Sequence, residues 1–166
     1  MDTLFGLPAH ILLVHAVVVL APLAALLGIA LAVRPAWGFY LRWPLLVVTV
    51  LSTGFAVLSA DAGEELEHRL GRSDLIRQHA EAGDLLKAVA IVFFVVAVLA
   101  FFAVSTTSPL ASGRGGFTTK LPSIVAPIAR VLLIAVAIWL IVQTTITGHT
   151  GSEAAWSEIV KSTTAG

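Results

Sequence analysis

Polar residues along this chain gather in clusters, and the stretches between the clusters are apolar. Four long apolar runs stand out, at about 11–33, 44–60, 85–104 and 124–148, and the first carries no charged residue at all. At about 1.5 Å of helix rise per residue, about twenty such residues cross a hydrocarbon core about 30 Å thick. Inside hydrocarbon each backbone polar group has to be satisfied within the segment, so every run is predicted to be a transmembrane helix. The separating stretches are short, and none is large enough to hold a soluble domain. The predicted fold is therefore all-α, an integral membrane four-helix bundle with antiparallel neighbours, and residues 1–166 form a single membrane domain. The first run reads as a span rather than a cleavable signal: no basic segment precedes it, and it runs straight into Arg34-Pro35.

Local chemistry predicts where the helices start and stop. The second span opens at Trp43-Pro44, and Ser52, Thr53 and Gly54 are small enough to let a neighbouring helix come close. Asp61, Glu65 and His68 follow four- and three-residue steps and share one face as that helix leaves the membrane. Gly71 is expected to end it, and Ser73 to cap the next helix from about Asp74. Residues 105–116 read as a loop. The fourth span is expected from about Ile124, with Pro127 tolerated in its first turn and Arg130 snorkelling to the water. Its far third holds Gln143, Thr144, Thr145, Thr147 and His149; Gly151 is expected to close it, and Ser152 to cap a short interfacial helix bearing Trp156, Ile159 and Val160.

Composition strengthens the membrane reading: 58% of residues are hydrophobic and 12% charged, where soluble domains carry about 25% charged residues. Net charge is zero and no basic tract occurs, which argues against a nucleic-acid partner. The absence of cysteine excludes disulfides, thiolate metal sites, iron–sulfur clusters and covalent c-type haem. No P-loop, dinucleotide fingerprint or nucleophile–base pair is present, and no catalytic residue is assigned.

The placement of charge predicts orientation. Segments 34–43 and 105–130 hold Arg34, Arg42, Arg114, Lys120 and Arg130 and no acid, whereas all ten Asp and Glu and all five His fall on the opposite face. The positive-inside rule puts the all-basic segments in the cytoplasm, and both termini and every histidine outside it. Trp37, Tyr40 and Trp43 then belong to the inner interfacial belt and Trp156 to the outer one.

Histidine at a membrane edge is costly and needs a partner. His10, His79 and His149 come from three different spans at comparable depths. His15 lies deeper than His10 by about 7–8 Å and about 140° round the helix, and the two cannot face one small ion together. They serve two centres, or one is a ligand and the other a structural imidazole bonded to Gln143, Thr145 or Asp61. His68 is further out and expected to stay peripheral. Two cofactor readings follow. Haem b takes axial nitrogens from facing helices, drawn from His10 or His15 with His79 or His149, and Arg69, Arg72 and Arg77 are in the right loop for its propionates. A transition-metal ion would instead use His10, His79 and His149 directly, with Asp61 or Glu64 as an oxygen ligand. The alternative is a non-catalytic accessory or scaffold subunit of a larger membrane complex, with histidines kept for packing or pH response.

Leu7-Pro8-Ala9-His10 with Val14-His15, then Asp61-Ala62-Gly63, His79, and Gly148-His149-Thr150-Gly151 with Trp156 resemble a family of predicted bacterial membrane proteins known as domain of unknown function 2231. The resemblance runs from Leu7 to Trp156. It implies a four-span protein of the bacterial inner membrane in which the histidines matter, embedded in the lipid bilayer, with a genomic association in some members that makes electron-transfer proteins the candidate partners, and it implies no established reaction.

Overall fold

The apolar runs fold as the middles of four helices: α1 (Ala9–Val33), α2 (Gly38–Leu70), α3 (Asp74–Ala103) and α4 (Val125–Thr164). This computed structural model describes residues 3–4, 7–70 and 73–164. Ahead of α1, Thr3–Leu4 pairs antiparallel with Leu7–Pro8. Each of the four helices is long and apolar enough to cross a membrane, and the protein is a multi-pass membrane bundle.

Each helix packs on its two sequence neighbours around a ring, α4 closing back onto α1. His10 at the start of α1 bonds to Ser59 late in α2, and Arg130 at the start of α4 bonds to Ala32 late in α1, so neighbours run antiparallel. The hairpin α1–α2 and the hairpin α3–α4 are therefore related by an approximate two-fold axis along the bundle. At about 1.5 Å per residue, the 33 residues of α2 and the 40 of α4 exceed a bilayer core, and the surplus gathers at the end that carries the acids and histidines.

Lipid tails are as apolar as leucine, so hydrophobicity alone does not press such helices together; close backbone packing does. The buried core is accordingly rich in alanine, with Ala21, Ala24 and Ala25 on α1, Ala90, Ala97 and Ala100 on α3, and Ala129 and Ala137 on α4. A side chain at Gly28 would meet the Phe93 ring at 3.1 Å, and Phe93 fills that space at 1% exposure. Ser52 is buried and the Thr53 hydroxyl donates to the Ala90 carbonyl at 3.2 Å, as expected of a close interface, whereas Gly54 is exposed with open space around it.

Most expected boundaries hold. Ser73 caps α3, its hydroxyl accepting from the Ile76 amide at 3.2 Å, and Pro127 sits in the first turn of α4. Gly71, expected to end α2, lies outside the described residues. Two expectations are corrected. The fourth helix does not stop at Gly151 but continues to Thr164. A mid-helix glycine costs only about 1 kcal/mol, and packing readily outweighs that. Arg130 does not snorkel: its Nε donates to the Ala32 carbonyl at 2.6 Å. That carbonyl belongs to the last turn of α1 and has no acceptor role left within its own helix. The loop 105–116 is tied down by a bridge in which Thr106 and Phe117 exchange backbone hydrogen bonds of 2.8 Å.

Candidate functional site

At the acid-rich end the bundle brings His10 of α1 and His79 of α3 together, their rings edge to face with centroids 5.9 Å apart and planes at 74°. These are the diagonal partners of the ring of helices, related by the approximate two-fold axis, and both are half-buried. Each ring is seated on a glycine of the following helix. A side chain at Gly63 would come within 3.0 Å of the His10 ring, and one at Gly151 within 2.9 Å of the His79 ring. Larger residues there would displace the imidazoles.

The seats also fix the tautomers. His10 Nδ1 lies 2.8 Å from the Ser59 carbonyl, which can only accept, so Nδ1 carries the proton. His79 Nδ1 lies 3.3 Å from the Thr150 hydroxyl, whose own proton is given to the Thr147 carbonyl at 3.1 Å. Thr150 therefore accepts, and His79 is also protonated at Nδ1. Both rings present Nε2 as a lone pair. An imidazole tied through Nδ1–H with Nε2 free is the form in which histidine binds a metal centre.

Two cavities flank the pair, of about 400 and about 420 Å³, and share His10, Ala60, His79, Gly83 and Gly151 as walls. The first opens among the ends of α2, α3 and α4 and carries Glu64, Glu67 and Asp84; Asp84 holds Lys87 at 3.0 Å. The second lies deeper, toward α1 and α4, and no Asp, Glu, Lys or Arg lines it.

The remaining expected site residues lie elsewhere. His15 lines the second cavity without joining the pair, its Nδ1 donating to the Ile11 carbonyl one turn back at 2.6 Å rather than to Gln143, Thr145 or Asp61. His149 is exposed, lines neither cavity, and faces Glu153 on its own helix at 3.4 Å. Asp61 and His68 are exposed and line neither cavity. The metal set of His10, His79, His149 and Asp61 is thus not assembled, and among the described residues no three His, Asp or Glu side chains come together as a metal-ion site. Arg77, expected near haem propionates, bonds instead to Glu81 at 2.9 Å, with Asp74 at 3.8 Å. Arg72 and the Arg69 side chain lie outside the described residues.

Sequence reasoning missed the seats, Gly63 and Gly151. The signal is present twice, as Ser59 four residues before Gly63 and Thr147 four before Gly151. A helical glycine bares the carbonyl one turn earlier, and a hydroxyl residue there adds a second acceptor.

A membrane four-helix bundle holding two facing imidazoles across its axis is what the geometry defines. The chain matches the family described as predicted membrane protein (DUF2231) over residues 6–164, and belongs to it. No curated protein and no solved structure matches the chain.

Proposed function

We propose that His10 and His79 would hold one haem b, in a small redox protein of the bacterial cell membrane whose histidine end faces away from the cytoplasm. The observation that carries this reading is the matched pair: two imidazoles on facing helices, each anchored through Nδ1–H, each offering Nε2. Haem b asks a protein for two such nitrogens and a largely apolar slot. A bare ion asks for three or four ligands, and among the described residues no such group converges. When bound, the haem supplies one-electron chemistry; the chain's part is to hold the rings, exclude lipid and set the electrostatics around them. The orientation is supported by the charge asymmetry between the two ends, and soluble electron-transfer proteins would approach the acidic helix ends.

The test is a reduced-minus-oxidised spectrum of protein purified from haem-sufficient cells. Sharp alpha and Soret bands are expected, lost at least ten-fold in His10→Ala or His79→Ala and retained in His149→Ala. Folded protein without those bands would reject the haem reading in favour of an accessory subunit with structural histidines. Single cysteines at Ser112 and Ser162 test the orientation: an impermeant reagent on intact cells should label position 162 alone.

A further inference from the structure

The basic end holds a segment that the imidazole pair does not use. Residues 34–37 suffice to turn α1 into α2, yet 104–124 lie between α3 and α4, where helix–helix connections need about 2–8 residues. The extra length is held in a defined hairpin. Beyond the backbone exchange of Thr106 with Phe117, the Ser108 hydroxyl donates to the Arg114 carbonyl at 2.6 Å and the Thr119 amide to the Ser105 hydroxyl at 3.1 Å. Gly113 and Gly115 take φ +67° and +82° at the tip. Phe117 seats the hairpin on the Arg42 guanidinium at 3.8 Å and so anchors it to α2.

On its outside the hairpin sets cations beside aliphatic side chains. Arg114 and Lys120 are exposed, and Leu110, Leu121 and Ile124 are 52%, 40% and 62% exposed. No Asp or Glu occurs from residue 85 to 152 or from residue 3 to 60, so no carboxylate from these stretches neutralises the two cations. Trp37, Tyr40 and Trp43, exposed at and just before the start of α2, mark the headgroup level at this end. A loop in water gains nothing from three bare aliphatic side chains, and a loop sunk in hydrocarbon could not carry two unpaired cations. The headgroup layer takes both: aliphatic side chains reach the acyl boundary while the cations stay level with the phosphates. Charge then selects among lipids. Each Lys or Arg near an anionic membrane adds to the attraction, which falls off within a Debye length.

We propose that the 104–124 hairpin lies on the bilayer surface and recruits anionic phospholipid, with Arg114 and Lys120 taking the phosphate groups. The proposal rests on neither the haem reading nor the direction of insertion.

The chain has no cysteine, so Leu110→Cys gives a single attachment point for an environment-sensitive dye. The labelled protein is compared in nanodiscs of phosphatidylcholine alone and in discs with about one-third phosphatidylglycerol. Emission about two-fold stronger and blue-shifted is expected with phosphatidylglycerol, and about 1 M NaCl should remove most of the gain. Arg114→Gln combined with Lys120→Gln should remove about two-thirds of it at low salt. The same dye at Glu153→Cys, on the acidic end, should not respond to the lipid. If the double variant does not accumulate folded, the salt reversal decides. Equal emission in the two lipids, a gain that survives about 1 M NaCl or the double substitution, or an equal gain at position 153 each overturn the proposal. A gain reproduced by inorganic phosphate added to phosphatidylcholine discs also overturns it, because the ligand would then be free phosphate and not lipid.

Discussion

The two ends of the bundle treat their charged and titratable groups in opposite ways. At the basic end Arg34, Arg42 and Arg130 are tied into the structure. The Arg42 guanidinium is stacked between the rings of Phe101 and Phe117, at 3.9 and 3.8 Å, Arg34 lies 4.9 Å over Trp37, and Arg130 closes the last turn of α1. At the other end the imidazoles are anchored by one nitrogen and leave the second uncommitted beside open space. Both arrangements hold costly polar groups near a membrane, yet what is left over at the basic end, the Arg42 Nε and the Thr106 hydroxyl, is buried, whereas the imidazoles border open space. Residue type alone does not make a site; a site is a held group with an unused valence.

Breaking the structural end should cost the most. Arg42→Ala removes both cation–π contacts and should destabilise the bundle by about 2–3 kcal/mol, read as an earlier midpoint in detergent unfolding, with no change in ligands at the far end. A comparable loss of bound haem before unfolding would show that the ends are coupled. Gly115 has φ +82°, and a side chain there would approach Phe39 at 2.7 Å. Gly115→Ala should cost about 1–2 kcal/mol of left-handed strain and ring displacement, measured the same way.

At the histidine end the glycine seats give the sharper contrast. Gly63→Ala or Gly151→Ala should lower haem retention about ten-fold and shift the alpha band, by turning the imidazoles rather than unfolding the helices. Gly54→Ala, on the same helix as Gly63 but with nothing within 4 Å, should retain full haem and gain slightly in stability. Equal behaviour of the three variants would mean that the seats do not position the rings.

The smallest effect carries the most chemical information, because its sign separates two ligands. Glu64 lines the outer cavity, where haem carboxylates would meet water. Glu64→Gln should strengthen haem retention two- to three-fold by removing like-charge repulsion. Weaker binding on the same substitution would point to a cation between the imidazoles.

Much of this was legible in the sequence because hydropathy reports depth. The four spans, the all-basic segments, the Ser73 cap and the approach of His10 to His79 all follow from where residues fall along the membrane normal. Angle around a helix is harder to read when nearly every position is apolar. His149 has the right depth and the wrong face. Gln143, Thr147 and Gly151, spaced by four, mark the inward stripe of α4, and His149 is two residues from the last two of them, about 200° round. Gly151 reads as a stop because glycine commonly ends helices; here the His79 ring packs on it and the helix continues.

The approximate two-fold axis has one more consequence. A group lying on it meets the same residue type twice, first His10 on Gly63 and then His79 on Gly151, so those four residues give it no sense of direction. Direction has to come from off-axis positions, and there the halves differ. Five residues past His10 stands His15, on the wall of the apolar cavity; five past His79 stands Asp84, on the wall of the acidic one. The centre repeats itself on rotation, but its two flanks are unlike: one wall is free of charged residues, the other carries Glu64, Glu67 and Asp84.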